Sequence, residues 1–161
     1  MKIAVNKWRN FSGKVFDQPI TTLVEEAIVR EQKAGYRLKI CVGSDSQAYK
    51  AHVAYATVVV ILREGKGGFM FIKNLKGTTK ISTKERMLKE VAMSVETAYA
   101  ICHILDKYDV ELEVHADINT DPKFESNVAL KEAMGYILGM GFVFKAKPNA
   151  FASSSCADLA V

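Results

Sequence analysis

Apolar residues near the N-terminus recur at the three- and four-residue spacing of an amphipathic helix. The periodic segment begins after Pro19 and ends at Gly35, a residue that commonly stands just past the end of a helix. Residues 22–25 have the sequence of a capping box, which is typical of the first turn of a helix. The pattern therefore predicts a helix over about residues 20–34.

Three segments with the period of β-strands follow this helix. Residues 36–45 alternate apolar with polar side chains, whereas residues 53–63 are apolar on both parities, which indicates a strand covered on both faces. Residues 69–74 follow a glycine-rich turn at 65–68 and have the composition of a third strand. Because the connections are short, the three strands are predicted to form an antiparallel meander.

Helices and strands alternate in the second half of the chain. A capping box at residues 82–85 predicts the start of a long amphipathic helix. A strand is predicted over 110–117 and a shorter one over 142–147, and the helix between them starts after Asp121, which reads as an N-cap. A last helix is predicted to open near Ser153.

This order of elements predicts an α/β fold with a mixed five-stranded sheet. The sheet combines the three-strand antiparallel meander with two parallel strands, and helices cover both faces. We expect a single domain over residues 1–161, with 1–35 as an N-terminal extension and 36–161 as its core. The N-terminal helix could cover the sheet, bind a partner or build a homodimer.

The composition is that of a globular protein. Hydrophobic residues make up 49% and charged residues 25% of the 161 residues, which excludes the disordered and fibrous classes. The longest nearly apolar run, 53–62, is about half as long as a membrane span. The first residues lack the apolar stretch of a signal peptide, and three cysteines without paired spacing favour a reducing compartment. These features predict a cytoplasmic protein that does not bind a membrane.

Charge divides unevenly along the chain. Residues 1–80 carry 14 Lys and Arg against 6 Asp and Glu, whereas residues 81–161 carry 8 against 12. Cations beside a cluster of carboxylates suit a metal-dependent enzyme that acts on a polyanion. The alternative is that these lysines only solvate strand ends and turns.

Two aspartates end strands that the predicted topology makes parallel neighbours. Asp45 ends the first strand among small residues, and Asp117 ends the fourth. Their strand ends coincide at the edge where α/β sheets commonly bind ligands. Because adjacent ionised carboxylates repel each other, a divalent cation would stabilise the pair, and oxygen ligands favour Mg²⁺ or Mn²⁺ over Zn²⁺.

Two further acids are candidate ligands. Glu90 lies about 100° from the centre of the long helix's apolar face, at the edge of the buried stripe, whereas Glu96 lies about 140° to the other side, toward solvent. Glu90 can therefore reach the sheet, although an ion pair with Arg86 is the alternative. Asp158 belongs either to the same cluster or to a capping box with Ser155.

Three motifs carry a family resemblance. They are Val-Gly-Ser-Asp-Ser-Gln at 42–47, His-Ala-Asp-Ile-Asn at 115–119, and Lys-Pro-Asn-Ala-Phe-Ala-Ser at 147–153 with the Ala-Asp pair at 157–158. These motifs resemble the YkuK-type family of bacterial ribonuclease H-like proteins, and the element order resembles the ribonuclease H-like superfamily over nearly the whole chain. By this resemblance Asp45, Glu90, Asp117 and Asp158 match the acids that hold two divalent metals, Mg²⁺ or Mn²⁺. Glu85 competes with Glu90 for the helix position.

The resemblance implies a ribonuclease H-like fold and a metal-dependent nuclease. Such an enzyme would cleave phosphodiester bonds in RNA, an RNA–DNA hybrid or structured DNA by a two-metal mechanism. One alternative is a catalytically silent module that binds nucleic acid or protein on the same fold. Another is a metal-dependent hydrolase of nucleotides or short oligonucleotides.

Several side chains are candidate substrate contacts. Lys145 and Lys147 share one parity of the fifth strand and could contact a phosphate backbone, or they are ordinary surface lysines. His115 could shuttle a proton beside Asp117, although a histidine inside a strand is more often packed and hydrogen-bonded. Tyr49 could stack on a base or simply pack against its neighbours.

Overall fold

Six strands of the computed structural model, which describes residues 7–78, 80–116, 128–146 and 149–161, form one mixed sheet. The strands are β1 (Trp8–Arg9), β2 (Leu38–Ala48), β3 (Val53–Arg63), β4 (Gly68–Gly77), β5 (Glu111–His115) and β6 (Val143–Lys145). Their order in the sheet is β1-β4-β3-β2-β5-β6. The antiparallel meander of β2, β3 and β4 is confirmed, as is the parallel addition of β5 to β2 and of β6 to β5.

The sixth strand, β1, corrects the prediction of five. Trp8 and Arg9 pair antiparallel with Lys73 and Ile72 at the edge of β4. A strand of two residues is too short to show alternation, so the sequence carries no periodic signal for it. The side chain of Trp8 is buried in the core, so its role is packing.

Within the described residues, four helical segments accompany the sheet. They are α1 (Ile20–Lys33), α2 (Thr83–Lys107), α3 (Val128–Gly139) and a C-terminal segment that consists of a π-helical turn (Ala152–Ala157) continuing into α4 (Asp158–Ala160). The capping box of α2 is confirmed, because the Ser82 hydroxyl accepts from the Glu85 amide at 3.1 Å. The start predicted for α3 at Asp121 lies outside the described residues.

Two predicted capping boxes are wrong. The first helix begins at Ile20, directly after Pro19, which has no side chain able to cap it, so Thr22 lies inside the helix. Near the C-terminus Ser155 lies within the π-helical turn, and Asp158 continues that turn into α4 without a capping bond. In both places the chain enters the helix before the matching sequence occurs.

A separate hydrophobic cluster lies on each face of the sheet. The larger cluster joins α1 and α2 to the side chains of β2 and β3 that point toward them. It includes Val24 of α1, Val95 of α2 and Val59 of β3. The smaller one packs the C-terminal segment against the opposite side of the same strands, through Cys41, Ala157 and their neighbours. Complete burial of each aliphatic side chain contributes about 1.5–3 kcal/mol, so each helical layer is held mainly by this packing. The prediction that helices cover both faces is confirmed.

The N-terminal helix α1 covers the sheet. Its buried face shares the larger cluster with α2, and its buried Glu31 accepts two hydrogen bonds from Arg63 of β3, at 2.9 and 3.2 Å. These bonds lower the pKa of Glu31 below its usual range. In the described part of the chain, no helix combines the length and the apolar character that a membrane span requires.

Candidate metal centre at the end of the sheet

The carboxyl ends of two parallel strands, β2 and β5, meet at one edge of the sheet. Gly43 of β2 pairs with His115 of β5, and the chain continues two residues further on each side to Asp45 and Asp117. Asp45 is half-buried at this edge. Asp117 lies outside the described residues, so its role stays a prediction, while Ala116 just before it belongs to the wall of the site described next.

A cavity of about 230 Å³ lies between this edge and the N-terminal half of α2. Asp45 from the strand and Glu90 from the helix both line it. Arg86, one helical turn before Glu90, lies in the same wall and brings a positive charge to it. The structure therefore brings together two of the acids that the sequence singles out.

Of the two candidate glutamates on α2, Glu90 lines the cavity, and Glu85 is absent from its described lining. Glu85 lies in the first turn of α2, where its backbone amide bonds Ser82 and its carboxylate reaches back to the amide of Ser82 at 3.5 Å. Glu90 is more than one turn further along the helix and turns its carboxylate toward β2. Glu96 is exposed, as its angle from the apolar face indicated.

Ser46 forms hydrogen bonds with both cavity carboxylates. Its backbone amide donates to Oδ1 of Asp45 at 2.8 Å, and its hydroxyl donates to Oε1 of Glu90 at 2.6 Å. Hydrogen bonds to ionised acceptors are short and roughly twice as strong as neutral ones. One residue therefore links a strand carboxylate to a helix carboxylate at the cavity.

A row of buried hydroxyls ties α2 to the sheet below the cavity. Ser94 donates to the hydroxyl of Ser44 at 2.8 Å, and Ser44 lies 2.9 Å from the hydroxyl of Thr57 on β3. Ser44 and Ser46 point from the same face of β2, and Glu90 and Ser94 are one turn apart on α2. The Ser46–Glu90 and Ser44–Ser94 hydrogen bonds therefore form successive rungs between the strand and the helix. These rungs determine where Glu90 lies along the strand.

Tyr55 of β3 lies beneath the same end of α2. Its side chain is buried, and the described residues offer its hydroxyl no hydrogen-bond partner. Burial raises the pKa of Tyr55, and the nearby Glu90 carboxylate raises it further. The ammonium group of Lys89 lies 4.6 Å from the centre of the Tyr55 ring.

The side chain of His115 is fully buried and packs on the face of the sheet opposite to α2, and the residue also contributes to the lining of the cavity. Its Nδ1 accepts from the backbone amide of Ala152 at 3.0 Å, and its Nε2 lies 2.9 Å from Oε1 of Glu113. Because Nδ1 is an acceptor, Nε2 carries the proton and donates to Glu113. Burial lowers the pKa of His115, an effect that Glu113 opposes. This environment favours the packed, hydrogen-bonded role for His115.

Cys41, Glu113 and His115 bring one potential ligand atom each within 4.8 Å of one another. Burial, followed by the charge of Glu113, raises the pKa of Cys41 to about 12, so the thiol stays protonated. Burial acts to raise the pKa of Glu113, but hydrogen bonds from His115 and from Lys39 (3.0 Å) outweigh it and lower the pKa. With the thiol protonated and Nε2 donating to Glu113, these side chains form a hydrogen-bonded group of their own beside Lys39.

The remaining predicted residues are absent from the described lining of the cavity or lie outside the described residues. Asp158 is exposed and is absent from the described lining of the cavity. Two residues after Asp158, the carbonyl of Ala160 accepts a hydrogen bond from Asn74 of β4. Asn74 lies two strands from Asp45, which is about 10 Å across the sheet. Lys145 is half-buried on β6 beside His115, and Lys147 lies outside the described residues. The assignments of Asp158, Lys145 and Lys147 stay predictions.

The donor set at the cavity fits a hard divalent cation. Asp45 and Glu90 supply carboxylate oxygens, which Mg²⁺ and Mn²⁺ prefer, and the cavity has room for an ion that keeps part of its water shell. Ser46 orients both carboxylates, as groups outside the ligand set commonly do. Sequence reasoning missed Ser44, Ser46 and Ser94, although the alternation of serines in 42–47 was a visible signal.

Comparison with known proteins decides the family. A model of the family described as ribonuclease H-like matches residues 20–160. The chain belongs to this family. Its ribonuclease H-like domain is 29% identical to the uncharacterized protein YkuK of Bacillus subtilis (strain 168), over an alignment that covers 88% of each chain. The crystal structure of RNase H1 from the halophilic archaeon Halobacterium salinarum NRC-1 is 12% identical with a TM-score of 0.36, covering 71% of this chain and 89% of that one.

Proposed function

We propose that this ribonuclease H-like domain is an Mg²⁺- or Mn²⁺-dependent nuclease that cleaves phosphodiester bonds in RNA, an RNA–DNA hybrid or structured DNA. The observation that carries the proposal is the pairing of Asp45 with Glu90 through Ser46 in one cavity. Membership of the ribonuclease H-like family supports nucleic acid as the substrate class.

Four acids would hold the ions, namely Asp45, Glu90, Asp117 and Asp158. When bound, divalent ions supply activation of water and neutralisation of charge on a phosphate under in-line attack. Ser46 restrains the first two carboxylates by hydrogen bonds, so less reorganisation is needed on binding. Arg86 in the cavity wall is placed to attract a phosphate and to offset the negative charge of the acids.

Cleavage assays on labelled RNA, hybrid, junction DNA and dinucleotides with added Mg²⁺ or Mn²⁺ test the proposal. We expect cation-dependent cleavage that falls at least about 100-fold in Asp45→Asn and Glu90→Gln, because each change removes a ligand charge. Glu96→Gln is the matched control, since it removes an exposed acid from the same helix.

Cleavage that survives Asp45→Asn would contradict the metal assignment. Binding of nucleic acid without cleavage under any of these conditions would instead identify a silent binding module on the same fold. Cleavage confined to dinucleotides would identify a hydrolase of small substrates.

A further inference from the structure

The hairpin between β2 and β3 extends the edge of the sheet that carries the candidate metal centre. β2 ends at Ala48 and β3 begins at Val53, and the amide of Tyr49 donates to the carbonyl of His52 at 2.8 Å to close the turn. Tyr49 follows Asp45 by four residues, so it stands about 13 Å beyond the cavity along the strand direction. The hairpin is therefore close enough to contact the same ligand as the cavity.

Two aromatic rings form a flat surface on this hairpin. The rings of Tyr49 and His52 stack with their centres 5.0 Å apart and their planes 22° apart. Tyr49 is nevertheless 48% exposed. An exposed tyrosine that is held flat by a stacked neighbour suits a second planar group, and a nucleobase is such a group.

Cations surround the approach from this hairpin to the cavity. Lys50 is exposed at the hairpin tip. Residues 76–90, which lead from the end of β4 into α2, contain five cations against two acids, one of which is Glu90. The five cations are Lys76, Lys80, Lys84, Arg86 and Lys89. Lys89 reaches across the end of β4 to the Tyr55 ring, and Arg86 lines the cavity, so positive charge continues into the site.

We propose that this hairpin and the basic residues beside it form an entry surface for single-stranded nucleic acid, with an unpaired base stacked on Tyr49. The inference rests on the proposed function and narrows its substrate class. An aromatic surface can stack on a base only when the base is free of its own stack, whereas a duplex would present phosphates alone. A mononucleotide is too short to reach both the ring and the cavity.

Binding measurements in EDTA test this surface without cleavage. A short oligonucleotide that carries 2-aminopurine, as a single strand and as a duplex, is titrated with the protein while anisotropy and base fluorescence are followed. We expect tighter binding of the single strand and quenching of the base by the native protein. Tyr49→Ala should weaken binding about tenfold and remove the quenching, while Tyr49→Trp should retain both.

Two comparisons separate stacking from general binding. Tyr99→Ala is the matched control, because Tyr99 is 43% exposed on α2 within a different aromatic group. Replacing Lys80 and Lys84 together by alanine should reduce the slope of log affinity against log salt by about 1.4, which is about 0.7 for each lost contact, and leave the quenching in place.

The outcomes distinguish this surface from the nuclease. Equal affinity of Tyr49→Ala and the native protein, a preference for duplex, or no binding of either strand form overturns the entry surface. Quenching that depends on Tyr49, without any cleavage when Mg²⁺ or Mn²⁺ is restored, supports the surface and contradicts the nuclease.

Discussion

Ser46 shows how one small residue can hold the two acids of the cavity together. Its amide belongs to the strand and bonds Asp45, while its hydroxyl reaches the helix and bonds Glu90. Ionised carboxylates that line one cavity repel each other, and each hydrogen bond offsets part of that cost.

Replacing Ser46 by alanine removes the bond to Glu90 and keeps the bond between the residue-46 amide and Asp45. We expect the affinity for Mn²⁺ to fall about 10-fold or more, because groups that orient ligands have effects of this size. Calorimetric titration measures the affinity. Ser12→Ala, which removes an exposed serine hydrogen bond in the N-terminal turn, is the control and should bind Mn²⁺ normally. Equal affinities in the two variants would contradict the role of Ser46.

The buried hydroxyl of Tyr55 has no hydrogen-bond partner among the described residues, and a buried hydroxyl without a partner lowers the stability of the folded state. Tyr55→Phe should therefore raise the free energy of unfolding by about 1 kcal/mol, measured by urea denaturation. Tyr99→Phe changes an exposed tyrosine and should leave it within error. A loss of stability in Tyr55→Phe would mean that the hydroxyl gains a partner in solution.

Among the elements, α2 has two kinds of contact with the sheet. Its central and C-terminal part packs through apolar residues such as Val95 and Leu105, whereas its N-terminal part meets β2 through serine hydroxyls and Glu90. Apolar contacts are not directional, but hydrogen bonds are. The hydroxyl rungs therefore determine the register of the helix at the end where the cavity lies.

Helix α1 is attached to the sheet by a charged pair as well as by apolar packing. Glu31 is buried and accepts two bonds from Arg63. Because its pKa is lowered in the folded state, its contribution to stability is complete above the unfolded-state pKa and is lost as the pH falls through the folded-state pKa. Acidification should therefore weaken the docking of α1.

Urea denaturation between about pH 3 and pH 6 measures this linkage. We expect the free energy of unfolding of the native protein to fall with decreasing pH, and Glu31→Gln to show a shallower fall because its side chain does not titrate. Glu26→Gln, an exposed acid on the same helix, should follow the native curve. Identical slopes for Glu31→Gln and the native protein would contradict the assignment.

The elements differ in how far the sequence alone predicts them. The sequence predicts β3 to the residue, because both of its faces are apolar, and it predicts the start of α2, because a capping box precedes the apolar stripe. β2 and β4 extend three residues past their predicted ends, since hairpin pairing with β3 continues where alternation stops. The link from Ser46 to Glu90 was not predictable, because it depends on which turn of α2 lies over which residue of β2.

The sheet separates two hydrophobic cores of unequal size. The larger one lies under α1 and α2, and the smaller one lies under the C-terminal segment. That segment is held by Asn74, which donates to the carbonyl of Ala160 at 2.8 Å, and by His115, which accepts from the amide of Ala152. We expect this short segment, which packs on its own smaller cluster, to open locally without disturbing the helices on the other face.

Two buried thiols lie in these separate cores. Cys41 is covered by the C-terminal segment, and Cys102 is buried in the core under α2. Burial raises the pKa of each thiol, so both should react slowly with an alkylating reagent until their cover opens. Asn74→Ala should accelerate alkylation of Cys41 about tenfold and leave Cys102 unchanged, as measured by peptide mass spectrometry. Equal acceleration at both would mean that the protein unfolds as one unit.

The protein thus carries two internal probes of opening, one buried cysteine on each face of the sheet. Comparing their rates in one sample gives the frequency of fraying at the C-terminus relative to global unfolding, with no dye or tag introduced. Because Asp158 lies in the C-terminal segment, the same ratio would also report how often that acid leaves its position in the folded protein.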